Sequence, residues 1–558
     1  PVLFRCGCVK MALIAFLFAA CAHAENSNFN LPATNTTTVT VGCQSTSYQP
    51  ELKNYVTGDK KMVIACNKTP VVTAPVATKN LILDGFERPE YAADADFKPS
   101  VSRSVLRNQT TAFVVKTADP CNFKVTSSLP YQTFKMHETK VTYPSYTGGK
   151  TGSFYDALVP LNAENCQGAK FLLVDLNSPA SQPVGAVNVV LGDAALVVNV
   201  KTGIIGDKAM MPLYSLFSNS MMYFGWYGKW APVEARGIEF TKLMVSHRMA
   251  PYNSAAVTPP VSNGALSLNY PTVDIGYKTL SLDFATHEVY WPNYSDAASL
   301  KAVQATSNGK GWFYSKDEPQ ESEIASLKTY LQLQKDNAPG IKRMVTHQYR
   351  QDLDGLVNIW TPVAEYYCTK NWDGTSFPCE SDYAGHGETW LYVSCMSHGC
   401  GPDRNGNLNA STTAGTDSGA PDLVLDRPAA HPFGLFLLAA KYPSVKGLLY
   451  YNTVEQWKLF PQGSDMWKDD VFNFGGNLDG TLFWPGRPGI EGLTTYEPVV
   501  SMRMKLIREA SYLYDILSMV SDRAWVKTQV DSIVTNPKDW KKDIRLIEKL
   551  RNDAIDKI

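Results

Sequence analysis

Residues 311–319 read Gly-Trp-Phe-Tyr-Ser-Lys-Asp-Glu-Pro, an aromatic run that ends in two adjacent carboxylates. Aromatic residues favour strands, and Pro319 stops a strand because it has no N–H to donate. Residues 320–337 then show the apolar spacing of an amphipathic helix. In a barrel of parallel strands and helices, catalytic side chains lie at the carboxyl ends of strands. The stretch therefore predicts a strand, a candidate catalytic pair formed by Asp317 and Glu318, and a helix.

Asp317 and Glu318 are neighbours in sequence, and neighbouring strand residues point to opposite faces. The two carboxylates can share one cleft only if the strand ends or twists there, and Pro319 is consistent with such an end. The alternative is a solvated pair that interacts with the amino terminus of the following helix. The local sequence leaves both interpretations open.

Strand-like segments alternate with helix-like segments after about residue 215. Such alternation is typical of parallel βα units and predicts a (β/α)8 TIM-type barrel over residues 216–520. Asp317 and Glu318 are expected at the carboxyl end of its fourth strand. The predicted strands are residues 220–225, 311–315, 342–346, 356–362, 389–394 and 447–451, and the predicted helices are residues 233–247, 320–337, 432–441 and 499–520.

Polar and aromatic side chains follow several of the predicted strands. Each one alone is better explained by a place in the core or at the rim than by ligand binding, but together, at successive strand ends, they predict the wall of a polar, aromatic pocket. The candidate substrate-binding residues are Tyr314, His347, Trp360, Trp390, Tyr392, Tyr450 and Trp457, with Asn253 and Asn452 at further strand ends.

The chain has 558 residues, which exceeds one ordinary core and predicts two or three domains. Residues 25–215 contain short β-branched and aromatic runs separated by turn residues, a pattern that predicts one or two β-sandwich modules. The clearest runs are residues 37–41, 61–64, 112–115, 171–174 and 186–200. Residues 521–558 form a predicted helical extension, with a charged helix over 536–558.

The charge composition argues against a nucleic-acid or anionic-membrane partner. The chain carries 52 basic and 53 acidic residues, a net charge of −1, without a long block of either sign. Aromatic residues make up 11% of the chain. That fraction suits stacking on sugar rings, and it suits a large core as well.

The first 24 residues have the pattern of a signal segment. Basic residues precede an apolar run at 11–22, and a small-x-small cleavage site ends at Ala24. The apolar run is too short for a permanent membrane span, so a secreted or periplasmic protein is expected. The alternative is a lipoprotein, because Phe18-Ala19-Ala20-Cys21 resembles a lipobox and would place a lipid anchor on Cys21.

Eight of the 11 cysteines follow this segment, an even number that suggests disulfides in an oxidising compartment. Proximity in sequence favours the pairs Cys43–Cys66, Cys121–Cys166, Cys368–Cys379 and Cys395–Cys400. A zinc site formed by the last four cysteines, with His386 and His398 nearby, is the alternative, although no Cys-x-x-Cys spacing supports it. Residues 403–409 resemble a calcium loop that lacks its final Glu. No metal or cofactor is therefore expected.

Several motifs, in order, resemble glycoside hydrolase family 123. They are Tyr314-x-x-Asp317-Glu318-Pro319, the stretch 240–253 that includes Ser246-His247-Arg248-Met249-Ala250-Pro251-Tyr252, Asn358-Ile359-Trp360-Thr361-Pro362 and Gly447-Leu448-Leu449-Tyr450-Tyr451-Asn452. The run Gly480-Thr481-Leu482-Phe483-Trp484-Pro485-Gly486, together with residues 497–509, resembles the domain of unknown function numbered 4091. The resemblance covers roughly residues 215–520.

This resemblance implies a retaining β-N-acetylgalactosaminidase in which the acetamido group of the substrate is the nucleophile. By position, Glu318 is then the general acid/base, and Asp317 orients and polarises the acetamido nitrogen. Substrate assistance explains why two adjacent carboxylates suffice, since no enzymic nucleophile across the sugar is needed. The insertion at 368–420 departs from the pattern and puts the substrate in doubt.

Two other functions fit the same pattern. A non-catalytic sugar-binding or cell-surface protein could use the same aromatic pocket, and a structural envelope protein could carry a degenerate barrel. A serine hydrolase is disfavoured because the Gly-x-Ser-x-Gly elbow is missing, and phosphate-loop and dinucleotide fingerprints are missing too. The predicted partner is therefore a glycan or glycoconjugate.

Overall fold

The computed structural model describes residues 55–57, 60–62 and 80–558, apart from 147, 217–232, 253–260, 263–264, 267–271, 276–277, 282–289, 371–373, 396–418 and 474–475. The chain divides into two compact units, Pro1–Thr78 and Lys79–Ile558. In the first unit, strands β1 (Tyr55–Thr57) and β2 (Lys60–Met62) form an antiparallel hairpin. The predicted leader, the run at 37–41 and the pair Cys43–Cys66 lie outside the described residues.

The second unit begins with two sheets in which nearly all neighbours are antiparallel. One has the order β4-β3-β6-β10-β8-β9 and the other the order β5-β12-β11-β7, in which β5 and β12 are parallel. The strands are β3 (Leu81–Leu83), β4 (Phe97–Lys98), β5 (Ser100–Arg107), β6 (Gln109–Lys116), β7 (Val125–Thr126), β8 (Tyr131–Val141), β9 (Gly152–Pro160), β10 (Phe171–Ser178), β11 (Gly185–Leu191) and β12 (Ala194–Ile204).

Both sheets contribute side chains to one hydrophobic cluster. Phe113 and Val174 come from the six-stranded sheet, and Val105 and Val198 from the four-stranded one. Buried and exposed residues alternate along much of β12, as expected for a strand with one face in a core. The antiparallel architecture predicted for this region is confirmed, and its classification as a β-sandwich stays a prediction.

Eight parallel strands form a nearly closed barrel in the order β14-β13-β24-β23-β22-β21-β20-β19. Every neighbouring pair in this order is parallel, and the described residues show no ladder between the two ends, β14 and β19. The predicted barrel is therefore present as a nearly closed barrel of eight parallel strands. Its strands are β13 (Leu213–Leu216), β14 (Met249–Tyr252), β19 (Tyr290–Trp291), β20 (Trp312–Lys316), β21 (Lys342–Val345), β22 (Ile359–Trp360), β23 (Glu388–Val393) and β24 (Val445–Tyr450).

The strand before the acid pair, β20, is the fourth of these eight in chain order, as predicted. The predicted first strand at 220–225 lies outside the described residues, and the first barrel strand in the structure is β13, Leu213–Leu216. Between the second and third barrel strands lie two short hairpins, formed by β15 (Val261–Ser262) with β16 (Ala265–Leu266) and β17 (Thr272–Asp274) with β18 (Thr279–Ser281).

The helices largely follow the predicted periodicity. They are α1 (Val233–Ser246), α2 (Ala297–Ser307), α3 (Ile324–Asn337), α4 (Glu380–Tyr383), α5 (Ala430–Lys441), α6 (Met502–Met519), α7 (Arg523–Ile533) and α8 (Ile544–Ile555). Short 3₁₀ helices occur at Asp94–Asp96, Pro120–Asn122, Glu321–Glu323, Gln351–Leu353, Ala364–Tyr366 and Glu455–Gln462. No helix in the described part of the chain is long and apolar enough to cross a membrane.

Helix α6 begins later than predicted because the residues before it form a hairpin. Strands β25 (Phe472–Asn473) and β26 (Gly476–Asn477) form one short hairpin, and β27 (Phe483–Gly486) and β28 (Glu497–Val500) form a second. Ser501 then caps α6 by accepting a hydrogen bond from the Met504 N–H. The run that resembles the numbered domain is therefore a hairpin followed by a buried helix.

Buried ion pairs connect α6 to the six-stranded sheet. Asp175 on β10 accepts hydrogen bonds from Lys505 and Arg508, each at 2.7 Å. Burial alone would raise the pKa of Asp175, but Arg508 and Lys505 outweigh it and hold the pKa well below its usual value. The carboxylate therefore stays charged between the two cations and connects α6 to the sheet.

Two of the predicted disulfides are present in full, Cys121–Cys166 and Cys368–Cys379. Cys395 is also disulfide-bonded, while its predicted partner Cys400 lies outside the described residues. The zinc alternative is therefore wrong for Cys368, Cys379 and Cys395, because a sulfur in a disulfide is not available as a thiolate ligand.

Candidate active site

A β-bulge precedes the acid pair at the end of β20. Tyr314 lies opposite Met344 and Lys316 lies opposite Val345, so Ser315 is an extra residue in the ladder. Residues 314 and 317 would point to opposite faces in a regular strand. Because of the bulge and the strand end, the Tyr314 hydroxyl instead donates to Asp317 Oδ1 at 2.7 Å. The strand therefore does become irregular and end here, which is the condition that the sequence set for the two carboxylates to share one cleft.

Glu318 has left-handed backbone geometry, with a φ of 38°. A non-glycine residue held in this region costs about 1–3 kcal/mol and persists only where surrounding contacts impose it. One such contact is the Glu318 N–H, which donates to Thr346 Oγ1 at 2.7 Å. The turn places Glu318 half-buried beside the exposed Asp317.

Thr346 joins the two acidic residues from the neighbouring strand. It directly follows β21, and its hydroxyl accepts the Glu318 N–H and donates to Asp317 Oδ1 at 2.8 Å. Asp317 Oδ1 therefore receives two hydrogen bonds, from Tyr314 and Thr346. These contacts fix the orientation of the carboxylate.

Tyr392, at the carboxyl end of β23, contacts the second acid. Its hydroxyl donates to Glu318 Oε1 at 2.7 Å. Burial, and then the charge of Glu318, raise the pKa of Tyr392 well above its usual value. Burial, and then Tyr252 and Asp317, do the same to the pKa of Tyr314. Both phenols therefore remain protonated donors over the whole physiological range.

The barrel interior beneath the pair is lined with aromatic rings. Tyr252 packs against Tyr290 and Trp312, with ring centroids 5.5 Å apart in each case. Burial, followed by the charge of Asp317, raises the pKa of Tyr252 above its usual value. Trp390 lies in the same interior cluster and stacks on Tyr214 at 4.4 Å. Closely packed aromatic side chains therefore fill the barrel interior next to the acid pair.

A loop closed by a disulfide packs against Tyr366, in the segment that follows β22. Tyr366 follows β22, and Cys368–Cys379 closes the loop just beyond it. Tyr366 stacks on Phe377 at 4.7 Å. Burial and then Glu365 raise the pKa of Tyr366, and Glu318 contributes as well, which places this phenol within the electrostatic range of the general-acid candidate.

The structure brings four predicted site residues together, Asp317, Glu318, Tyr314 and Tyr392. His347 follows β21 directly after Thr346, is half-buried, and has its Nδ1 2.8 Å from the Gln348 carbonyl oxygen. Burial lowers its pKa, so the imidazole is neutral at physiological pH.

The predicted tryptophans are not brought to the site. Trp360 and Trp457 are 0% exposed and Trp390 is 1% exposed, so none offers a free face to a sugar ring. The Trp360 indole donates to the His386 carbonyl and the Trp457 indole to the Phe483 carbonyl, both at 2.9 Å. These side chains are core residues.

Tyr450 and Asn452 are buried as well. The Tyr450 hydroxyl accepts the Gly480 N–H at 2.6 Å, and Asn452 Nδ2 donates to Glu455 Oε2 at 2.8 Å. Both side chains are thus bonded to segments after β24. Asn253 lies outside the described residues.

The sequence did not single out Thr346, Tyr252 or Tyr366 as site residues. Thr346 ended a predicted strand and Tyr252 ended a predicted family motif, and both positions are strand ends of a barrel. Their shared position at strand ends was the signal in the sequence that could have identified them as site residues. Tyr366 carried no signal, because its place depends on the fold of the loop after β22.

No group of three or more potential metal ligands occurs among the residues that the structure describes. The predicted calcium-like loop at 403–409 is outside that part. A cavity of about 320 Å³ lies between residues 83–96 and 542–548, and none of the predicted site residues lines it.

No family model matches the chain. No curated protein matches it either. Among solved structures, a family 123 glycoside hydrolase from Clostridium perfringens, studied for glycolipid glycan hydrolysis, aligns with a TM-score of 0.52 at 9% identity, covering 86% of this chain and 97% of that one. An FMN-binding β-glucuronidase from Facaelibacterium prausnitzii covers 74% of this chain and 60% of its own at 9% identity, but its TM-score of 0.24 supports no argument. The chain therefore shares its overall fold with a family 123 glycoside hydrolase.

Proposed function

We propose that this protein is a retaining glycoside hydrolase that removes terminal 2-acetamido-2-deoxy-β-hexosyl groups, with N-acetylgalactosaminides favoured. The observation that carries the proposal is the adjacent acid pair at the end of β20, in which each carboxylate has its own hydrogen-bond partners. The fold shared with a family 123 glycoside hydrolase supports it. The proposal includes membership of that family and of the numbered domain for residues 480–509.

In the first step, Glu318 is the general acid. The acetamido carbonyl oxygen of the substrate attacks C1, and the departing glycosidic oxygen takes the proton from Glu318. Tyr392 donates to Glu318 Oε1 and so orients the carboxyl group for this transfer. The bond from C1 to the leaving group breaks as the oxazolinium ring forms.

Asp317 stabilises the developing positive charge of that ring. Its Oδ1 is already held by Tyr314 and Thr346, so Oδ2 is the oxygen that accepts the acetamido N–H. A preorganised charge of this kind stabilises the transition state without reorganisation. In the second step, Glu318 removes a proton from water, which attacks C1 and opens the ring with overall retention.

The proposed sugar site uses the side chains that remain near the pair. Tyr314, Tyr392 and His347 stay candidates, and Tyr366 is added because it lies within the electrostatic range of Glu318. The predicted roles of Trp360, Trp390 and Trp457 in stacking are not carried forward, since all three are buried. The disulfide loop at Cys368–Cys379 then forms part of the substrate rim.

We further propose that the protein acts after export. The two complete disulfides are consistent with an oxidising compartment. Secretion, periplasmic location and a lipid anchor at Cys21 differ in the fate of residues outside the described part. Intact-mass analysis of protein from the native host separates a lipidated chain from a cleaved one.

The direct test is turnover of aryl glycosides by purified protein. We expect hydrolysis of 4-nitrophenyl 2-acetamido-2-deoxy-β-galactoside, slower hydrolysis of the gluco epimer, and a first-formed product of β configuration by NMR. Binding of the sugar without turnover would favour the non-catalytic alternative. Cleavage of the 2-hydroxy galactoside as fast as the 2-acetamido compound would remove the role of the substrate as nucleophile and the assignment of Asp317 with it.

A further inference from the structure

Thr346 makes two side-chain contacts that join both acidic residues to a second strand. Its hydroxyl is the acceptor for the Glu318 N–H at 2.7 Å and the donor to Asp317 Oδ1 at 2.8 Å. The side chain is buried, with 3% exposure, and it directly follows β21. One hydroxyl group therefore connects the backbone of one acid to the carboxylate of the other.

We propose that Thr346 is a positioning residue that sets the division of labour between Asp317 and Glu318. By accepting the Glu318 N–H, it holds the left-handed turn at Glu318, which has a φ of 38°. By donating to Asp317 Oδ1, it directs the other oxygen to the substrate. This inference rests on the proposed glycosidase function and adds a residue that acts through Asp317 rather than on the sugar.

The polarity of the two bonds is the reason that threonine fits this place. The Glu318 N–H can only donate, and a carboxylate oxygen can only accept. The residue between them must accept on one side and donate on the other, which a hydroxyl does with a single atom. Valine has the same shape and can do neither, whereas serine retains the hydroxyl.

Thr361 provides a matched control. It directly follows β22 as Thr346 directly follows β21, and it is 0% exposed. Among the described residues its hydroxyl has no hydrogen-bond partner. Thr361→Val therefore makes the same chemical change, in a buried side chain after the next barrel strand, without removing a contact to the acid pair.

The experiment compares kcat/KM of the wild type with Thr346→Val, Thr346→Ser and Thr361→Val on the 2-acetamido galactoside. Loss of two hydrogen bonds, one of them to a carboxylate, predicts a fall of about 10- to 100-fold for Thr346→Val. Thr346→Ser should stay within about threefold of the wild type, and Thr361→Val should not change, since neither variant removes a bond to the pair. An equal fall in Thr361→Val, or no rescue by serine, overturns the proposal.

A double mutant separates positioning from a general structural role. If Thr346 acts in part through Asp317, Thr346→Val lowers kcat/KM by a smaller factor in the Asp317→Asn background than in the wild type, and the loss that remains is the part that acts through the Glu318 backbone. If its effect is independent of Asp317, the two losses multiply and the proposal fails.

Crystal structures of Thr346→Val and Thr346→Ser give a readout that does not depend on activity. The valine variant should show a rotated Asp317 carboxylate or a Glu318 backbone that has left the left-handed region, and the serine variant should show neither. If Asp317 and Glu318 keep their wild-type geometry in the Thr346→Val structure, the inference is overturned, whatever the activity of that variant. Absence of turnover by the wild type would refute the proposed function, and the two crystal structures would still decide the positioning role.

Discussion

Replacing the two acids by their amides should produce two different kinetic defects. In Glu318→Gln, the Tyr392 hydroxyl can still donate to the side-chain oxygen, so the geometry is kept and only the transferable proton is lost. General acid assistance contributes about 10²- to 10⁴-fold in rate, and we expect a loss of that size on alkyl glycosides. Activated aryl groups leave without full protonation, so with them the loss should be about tenfold or less.

In Asp317→Asn, the side-chain oxygen can still accept from Tyr314 and Thr346, and the new NH₂ group occupies the place of Oδ2. The acetamido N–H then meets a donor in place of a negative charge. Removing one preorganised stabilising group typically costs about 10²- to 10³-fold in kcat. This loss should be the same for good and poor leaving groups, because the oxazolinium ion forms in both cases.

The assay is kcat/KM for a series of aryl 2-acetamido-2-deoxy-β-galactosides with leaving groups of increasing acidity, measured for the wild type and both variants. The slope against leaving-group acidity should steepen in Glu318→Gln and stay unchanged in Asp317→Asn. A thiazoline mimic of the cyclised intermediate should bind the wild type far more tightly than the free sugar does, and should lose affinity in Asp317→Asn. Equal losses in Glu318→Gln across the series would refute its assignment as the acid.

Three further predictions concern the surroundings of the pair. Tyr392→Phe removes a hydrogen bond to a carboxylate and should lower kcat/KM by about 10- to 100-fold. Tyr383→Phe, whose hydroxyl accepts the Tyr349 N–H and makes no hydrogen bond to the acid pair among the described residues, should leave kcat/KM unchanged, and equal effects in steady-state assays would argue against a role for Tyr392. Replacing Cys368 and Cys379 by Ser should raise KM more than it lowers kcat, and it should destabilise the loop by about 3 kcal/mol. Free thiols at these two positions in the non-reduced wild type, detected by mass spectrometry, would contradict the disulfide assignment. Burial raises the pKa of Glu491, but His137 and Lys135 outweigh it and lower the pKa from 4.5 to about 2. Because solvent screens part of this interaction, Glu491→Gln should cost about 1–2 kcal/mol of stability near pH 5. Denaturant unfolding should show this difference fade as the pH falls toward 2, and a constant difference would contradict it.

The existence of the barrel and the place of the acid pair could be predicted because both depend on local signals. Alternating strand and helix patterns predict parallel units, and the aromatic run before Asp317 and Pro319 predicts where a strand ends. The described strand β20 and helix α3 both lie almost where these patterns put them. Local propensity and tertiary structure agree at these elements.

The predicted aromatic wall was wrong for Trp360 because position at a strand end does not determine which way a side chain points. Trp390 does point into the barrel, but it lies near the start of β23 and is covered by the interior cluster. A shift of one residue moves every side chain to the other face of a strand. In β22, Ile359 belongs to the hydrophobic cluster inside the barrel, whereas Trp360 belongs to the large cluster that includes the surrounding helices. In β24, Leu449 likewise lies in the interior cluster and Tyr450 in the large cluster outside it. The register that decides these positions is set by pairing between distant strands, which a single sequence does not contain.

Thr346 was missed because its role depends on local backbone geometry that a regular strand does not have. The same geometry explains how two consecutive acids can have different roles. In a regular strand Asp317 and Glu318 would face opposite sides and only one would reach the cleft. The extra residue at Ser315 turns Asp317 towards Tyr314, and the left-handed turn at Glu318 brings the second carboxylate to Tyr392. Such backbone costs about 1–3 kcal/mol, and it persists because contacts from β21 and β23 impose it. A simple helix cap does not need strain at Glu318 that is held by Thr346 after β21 and by Tyr392 on β23, whereas a pair with two roles in one cleft does, and this is why we retain the cleft interpretation of Asp317 and Glu318 as our proposal.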